Sequence, residues 1–147
     1  MHSRLAQFEN RKGITMSQEL YWMVLTALMT GLFWVPYVLN RFAEIGIISA
    51  VFGSDAPPTA QAGWAQRMTK AHTNAVENLA VFVPLVLAVH LSGASSALTV
   101  SACMVYFYAR LAHFIVYTLG IPALRTVAFL IGFACQLILA LAFLGML

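Results

Sequence analysis

The sequence predicts an all-α integral membrane protein, a four-helix bundle, and three observations support this fold class. The 147 residues are 61% hydrophobic, with a mean hydropathy of +0.83. Only 9% are charged, against about 25% in a typical soluble domain, too few to cover a small soluble surface. Three long runs lack any charge, and about 20 such residues cross a bilayer core of roughly 30 Å. This composition excludes an ordinary soluble globule, a disordered tail and a nucleic-acid-binding protein.

The uncharged runs predict four helices, which cover residues 18–40, 65–91, 97–119 and 122–147. The middle run supplies two of them, because a Ser/Gly-rich break at 92–96 predicts a turn between them. Strands are not expected, since lipid does not tolerate open sheet edges and four spans cannot close a barrel. Ser17 suits the N-cap of the first helix, and Pro122 suits the first turn of the fourth.

The chain divides into a short polar start and one membrane domain. Residues 1–16 are predicted to be an N-terminal extension, with Met16 as a candidate natural start. Residues 17–147 form the predicted four-helix domain. The connection over residues 42–63 carries two glycines and two prolines before its end, so it is predicted to be long and irregular.

Basic residues predict the orientation in the membrane. They concentrate in and beside the connections between the first two and the last two helices, at Arg41, Arg67, Lys70 and Arg125. The connection between the second and third helices has none. The positive-inside rule therefore places the 1–2 and 3–4 connections in the cytoplasm and both termini outside. Three basic residues of the N-terminal tail oppose this orientation: Arg4, Arg11 and Lys12.

Polar residues form one-sided stripes on three predicted helices. Five of them fall within about 100° of arc on the second helix: Arg67, Lys70, Asn74, Glu77 and Asn78. Four fall within about 60° on the third helix: Tyr106, Arg110, His113 and Tyr117. Arg125 begins the fourth helix, where a cation opposes the helix dipole. A charge at the membrane centre costs at least about 2.5–3.5 kcal/mol, so the stripes indicate a cavity for a small zwitterionic or anionic ligand.

A structural interpretation of the same stripes stays open. Arg67 and Lys70 could be anchors at the membrane interface, and Glu77 and Arg110 could form an ion pair. Asn74 and Asn78 could make hydrogen bonds between helices. The chain would then be a non-catalytic membrane scaffold or a small transporter, and the stripes would be buried in helix contacts without a cavity.

Haem and metal sites are disfavoured. His90 and His113 lie at opposite ends of antiparallel helices, so they cannot share an iron. Cys103 and Cys135 lie far apart in apolar runs, a spacing that matches neither a zinc site nor a disulfide framework. No metal and no haem are expected.

The polar motifs together resemble the MAPEG family, the membrane-associated proteins in eicosanoid and glutathione metabolism. They are Asn74-x-x-Glu77-Asn78, then Arg110-x-x-His113-x-x-x-Tyr117, then Pro122-x-x-Arg125. The resemblance covers the chain from Ser17 to Leu147 and is closest to the microsomal glutathione transferase branch and its bacterial relatives. It implies a homotrimer with sites between neighbouring subunits, near the cytoplasmic side.

The same resemblance implies glutathione as cosubstrate and gives roles by position. Asn74 and Glu77 would hold the glutamyl end of glutathione, and Arg125 would face the thiol as the catalytic residue. The other residues implied to bind glutathione are Lys70, Arg110, His113, Tyr117 and Arg41. The chain departs from the family at Lys70, where many glutathione-using members carry arginine, and at Thr73, where the prostaglandin synthase branch carries another arginine. A lysine is a point charge and cannot replace the bidentate guanidinium fork.

The implied chemistry is activation of the glutathione thiol in a membrane-bound detoxification enzyme. A free thiol has a pKa near about 8.5, and a cation at a helix N-terminus favours its thiolate. The thiolate would attack a hydrophobic electrophile delivered from the lipid, in a transferase or peroxidase reaction. Phe129 and Phe133 are candidates for lining the groove of that electrophile.

Overall fold

The computed structural model describes residues 17–53 and 61–147, and the residues predicted as an extension, 1–16, lie outside that part. The described residues form six helices and no strand: α1 Gln18–Leu32, α2 Val35–Ile45, α3 Ile47–Phe52, α4 Gly63–Ser92, α5 Ala97–Leu119 and α6 Pro122–Phe143. Four segments are long and apolar enough to cross a membrane, namely α1 with α2 taken together, α4, α5 and α6. The predicted fold class, an all-α membrane bundle, is confirmed.

The first span is interrupted near its middle. Phe33 and Trp34 separate α1 from α2, so the continuous helix predicted over residues 18–40 is wrong at this point. Pro36 explains the break, because proline has no N–H to donate to the preceding turn and its ring clashes there. The first turn of α2 accommodates this proline, since N–H groups in a first turn need no helical partner.

The connection over residues 42–63 contains more helix than the sequence predicted. α2 continues to Ile45, and α3 follows it. Gly46 turns the chain between them with a φ of 80°, a backbone conformation that glycine adopts without a Cβ penalty. The last helix is shorter than predicted, because α6 ends at Phe143.

The turn from α4 to α5 confirms the predicted Ser/Gly break. Gly93 ends α4 in the left-handed conformation, and Ser96 begins α5 with a capping box. In this box the Ser96 hydroxyl accepts from the Thr99 N–H at 3.2 Å, and the Thr99 hydroxyl accepts from the Ser96 N–H at 2.8 Å. Ser17 does stand at the N-cap of α1, but its hydroxyl donates to Glu19 instead of capping.

Two apolar clusters hold the bundle together around α5. In the larger cluster, Phe82 stacks on Tyr106 with ring centroids 3.8 Å apart. In the smaller one, Phe33 stacks on Phe114 at 3.6 Å, and two alanines of α4 complete it. Small residues allow membrane helices to approach closely. Tyr117 packs against this smaller cluster, so the cluster supports the end of α5 that carries the polar residues.

Candidate functional site

A cavity of about 210 Å³ lies between α4, α5 and α6. Its walls are formed by Asn74, His113, Tyr117, Arg125, Thr126 and Phe129. Helical spacing explains the set, because residues four apart on a helix lie on the same face. His113 and Tyr117 have this spacing on α5, and Arg125 and Phe129 have it on α6. The cavity therefore collects predicted residues from all three stripes.

Arg110 lies behind the cavity wall with only 2% of its surface exposed. Its Nη2 donates to Asn74 Oδ1 at 2.8 Å, which ties the guanidinium to a residue that lines the cavity. Its Nε and Nη1 atoms are buried and have no hydrogen-bond partner among the described residues. Buried polar atoms normally have a partner, so a cation with unused donors fits an anionic ligand.

A glycine of α6 makes room for this arginine. A Cβ at Gly132 would lie 3.5 Å from Arg110 Cδ, so the aliphatic part of the arginine runs over bare backbone. One turn further along α6, Gln136 Nε2 donates to Asn78 O at 3.1 Å and to Tyr106 Oη at 3.3 Å. These contacts continue the polar layer from the cavity towards the middle of the bundle.

Arg125 stands against the aromatic wall of the cavity. Its Cζ lies 4.4 Å from the centroid of the Tyr117 ring, a cation–π contact that orients the guanidinium. The His113 ring meets Tyr117 edge-on at 5.6 Å, and His113 Nδ1 is another buried atom without a partner among the described residues. The helix dipole disfavours a cation in the first turn of α6, so the Tyr117 contact offsets part of that cost.

Three predicted site residues lie away from the cavity of the single chain. Lys70 and Glu77 are exposed on the outer side of α4, and Arg41 is half-buried on α2. None of them lines the cavity. Arg110 donates to Asn74, so the alternative ion pair between Arg110 and Glu77 is not formed.

Sequence reasoning missed Thr126 as a cavity residue. It directly follows Arg125 and lines the same wall, with its hydroxyl donating to Pro122 O at 3.2 Å. Its position beside Arg125 was the available signal. Of the two phenylalanines expected in an acceptor groove, Phe129 lines the cavity and Phe133 is exposed outside it.

The two other histidines of the described residues lie elsewhere. His72 Nδ1 is hydrogen-bonded to the Tyr37 hydroxyl at 2.9 Å, which joins α4 to α2. His90 is exposed in the last turn of α4. Among the described residues, no group of three or more His, Cys, Asp or Glu side chains is placed to hold a metal ion. Cys103 and Cys135 are free and buried.

The fold and the site define a multi-pass membrane protein with a cation-lined polar cavity at one end of its bundle. A model of the MAPEG family matches residues 20–145, and the chain therefore belongs to the MAPEG family. No curated protein matches the chain, and no solved structure matches it. Membership supports a glutathione-related membrane function of the transferase or peroxidase kind in general, and family members generally use glutathione.

Proposed function

We propose that this protein is a membrane-bound, glutathione-dependent transferase or peroxidase that activates the glutathione thiol for attack on a hydrophobic electrophile. The observation that carries the proposal is that one arginine lines the cavity and a second lies behind its wall. Arg125 lines it, and Arg110 is held to it by Asn74 with two donor atoms unused. Glutathione carries carboxylates and a thiol, and guanidinium groups bind carboxylates and stabilise thiolates.

The two arginines have different roles in this proposal. Arg110 and His113 offer buried donors to a carboxylate of glutathione. Arg125 lies at the N-terminus of α6, so its charge and the helix dipole both stabilise the thiolate. The thiol proton leaves to water, and the sulfur attacks an electrophilic carbon. The C–S bond forms as the leaving group departs with its electron pair or, in a conjugate addition, as the C=C π bond breaks and the adjacent carbon takes a proton from water. With a lipid hydroperoxide, the thiolate attacks the terminal oxygen, the O–O bond breaks, and the lipid leaves as an alcohol after it takes a proton. The sulfenic acid formed on glutathione then reacts with a second glutathione thiol to give the disulfide and water.

The apolar substrate is proposed to arrive from the lipid along α6. Phe129 gives the cavity an apolar wall. Val127, Leu130 and Phe133 on the same helix are about half exposed and present an apolar surface beside that wall. Hydrophobic electrophiles concentrate in the bilayer, so this surface offers them a path to the thiolate.

A homotrimer, the assembly that the family resemblance implies, is supported by an exposed seam on α4 whose first four residues are polar and that lipid would not cover. The seam residues alternate in steps of four and three, the spacing of helices that pack against each other: Gln66, Lys70, Thr73, Glu77, Ala80 and Pro84, all exposed. Glu77 lies about halfway along α4. A charge at that depth costs at least about 2.5–3.5 kcal/mol against lipid, and a neighbouring copy removes this cost.

The size of the cavity supports a site shared between copies. Ligand pockets usually measure about 300–1,000 Å³, whereas one chain encloses about 210 Å³. In the proposed trimer, Lys70 and Glu77 of one copy complete the cavity of the next. Mixed trimers test this arrangement: chains carrying Arg125→Ala and chains carrying Glu77→Ala are inactive separately, and co-expression restores part of the activity.

The matched control for that experiment mixes Arg125→Ala chains with Arg110→Ala chains. Both residues belong to the same chain's cavity, so this mixture recovers nothing. If neither mixture recovers activity, a shared site is contradicted. A monomer in native mass spectrometry contradicts the trimer.

The proposed orientation places the cavity at the cytoplasmic end, with both termini outside. The two native cysteines are buried, so a membrane-impermeant thiol reagent should label only cysteines introduced at exposed positions. Leu119→Cys lies at the exposed turn between α5 and α6, and Ser95→Cys lies at the exposed turn between α4 and α5. In intact cells Ser95→Cys is labelled and Leu119→Cys is protected, and the reverse pattern contradicts this orientation.

The proposed chemistry is tested by the ultraviolet absorbance change on mixing detergent-purified protein with glutathione. The wild type gives a thiolate signal, Arg125→Ala gives none, and Arg125→Lys retains part of it because the charge remains. His90→Ala, at the exposed far end of α4, serves as the unaffected control. Equal signals in wild type and Arg125→Ala contradict the role of Arg125. No signal in the wild type at saturating glutathione favours the scaffold or transporter interpretation.

A further inference from the structure

The end of α5 is closed by a backbone motif that pairs two of the last four carbonyls and leaves the other two, including that of Thr118, without a donor. Gly120 has a φ of 77°, its N–H donates to Tyr117 O, and the Ile121 N–H donates to Val116 O, both at 3.0 Å. This is a Schellman pattern. The carbonyl of Thr118 has no donor within this motif.

Arg67 of α4 supplies that donor. Its Nε donates to Thr118 O at 2.9 Å. The guanidinium also lies against the cap glycine, since a Cβ at Gly120 would come within 3.2 Å of Arg67 Nε. A cation at a helix C-terminus is favoured by the helix dipole, so Arg67 closes the end of α5 by charge and by hydrogen bond together.

The segment that Arg67 contacts, Thr118 to Gly120, lies between two residues of the proposed thiol site. Tyr117 precedes Thr118 directly, and Arg125 lies in the first turn of α6, where its N–H donates to Ile121 O at 3.2 Å. Only Gly120 and Ile121 separate α5 from α6. Such a short turn has little freedom, so a shift of its backbone changes the 4.4 Å contact between Arg125 and the Tyr117 ring.

We infer that Arg67 is a positioning residue for thiol activation, which acts by fixing the α5–α6 turn and through it the placement of Tyr117 and Arg125. Arg67 does not line the cavity, so this role is exerted through the backbone of Thr118. The inference rests on the proposed function, because it concerns the group proposed to face the thiol. A simple interfacial anchor would leave the ionisation of bound glutathione unchanged.

The experiment is a pH titration of the glutathione thiolate absorbance in the assembled protein at saturating glutathione. Arg67→Met keeps the length of the side chain but removes its charge and its donor. We expect its titration midpoint to rise by about one pH unit, a tenfold loss of thiolate at lower pH, while the Kd for glutathione changes less than about threefold. Arg67→Lys restores the wild-type midpoint because it keeps a charge and a donor, and His90→Met leaves the midpoint unchanged.

A second variant tests the same contact from the other side. Gly120→Ala strains the turn backbone at a φ of 77° and crowds Arg67 Nε at 3.2 Å, so it disturbs the same turn and raises the midpoint in the same direction. Combined with Arg67→Met it adds less than the sum of the two shifts, since residues in contact are not additive. The inference is overturned if Arg67→Met titrates at the wild-type midpoint. It is also overturned if the midpoint of Arg67→Lys rises as much as that of Arg67→Met. Absence of any thiolate in the wild type instead overturns the proposed function, and this inference with it.

Discussion

Each end of the bundle holds one charged side chain that is almost unexposed, of opposite sign at the two ends, and the two charges differ in their hydrogen-bond partners. Glu19 and Arg110 are each 2% exposed. At the far end, Glu19 Oε1 accepts from Thr99 Oγ1 at 2.8 Å and Oε2 accepts from Ser17 Oγ at 2.6 Å. At the cavity end, Arg110 uses one nitrogen on Asn74 and leaves two without partners among the described residues. Both carboxylate oxygens of Glu19 accept hydrogen bonds from hydroxyl groups of the chain, whereas two nitrogens of Arg110 remain able to donate to a ligand.

The energetic consequence is that the charge at the far end contributes to stability, whereas the charge at the cavity end contributes to ligand binding. A buried charge with all its partners contributes to stability, and removal of that charge leaves its partners unsatisfied. A buried charge that lacks partners costs stability until a ligand provides them. Substitution at the cavity end should therefore weaken glutathione binding without lowering the unfolding temperature, and substitution at the far end should lower the unfolding temperature without changing glutathione binding.

The largest expected effect is on binding at the cavity end. Arg110→Met removes charge-assisted bonds that are worth about 2–5 kcal/mol, so the Kd for glutathione rises at least about thirtyfold. The unfolding temperature in detergent stays the same or rises, because an apolar side chain replaces an incompletely paired cation. Thiolate titration and thermal unfolding measure the two quantities. Unchanged binding together with a lower unfolding temperature would show that Arg110 is structural.

A smaller effect is expected at the far end, on stability alone. Glu19→Ala leaves the Ser17 hydroxyl without its acceptor and removes the charged partner of Thr99, whose hydroxyl keeps Ser96 O at 2.9 Å. The expected cost is about 1.5–3 kcal/mol for hydrogen bonds to a charged group. Its unfolding temperature falls while the Kd for glutathione does not change. Glu19→Gln, which keeps one acceptor oxygen, loses less. Glutathione affinity that falls along with stability would contradict the separation of the two ends.

The sequence predicted the cavity end better than the far end, and the reason is the distance between partners. Arg110, His113 and Tyr117 share one helix face, so helical periodicity alone places them together. Glu19 and Thr99 are 80 positions apart, and nothing in either segment specifies that they meet. An acidic residue in a first helical turn has an ordinary explanation in the helix dipole.

Periodicity also could not say which part of a stripe faces its own chain. The stripe on α4 spans about 100° of arc; Asn74 faces α5, whereas Lys70 and Glu77 are exposed. Which neighbour covers an exposed arc depends on assembly, which one chain does not encode locally. The break before α2 was readable at Pro36, but the uncharged run around it favoured a continuous span.

The smallest effect is expected between the two ends, at Gln136. Its side chain is buried and its Nε2 already donates to Asn78 O and to Tyr106 Oη. Gln136→Leu removes these bonds, and interhelical hydrogen bonds in membranes average about 0.6 kcal/mol, so the unfolding temperature falls slightly and the Kd for glutathione stays within about twofold. If leucine instead weakened glutathione binding as strongly as Arg110→Met, the site would extend from the cavity into the middle of the bundle, and the contrast between a binding end and a structural end would have to be redrawn at that layer.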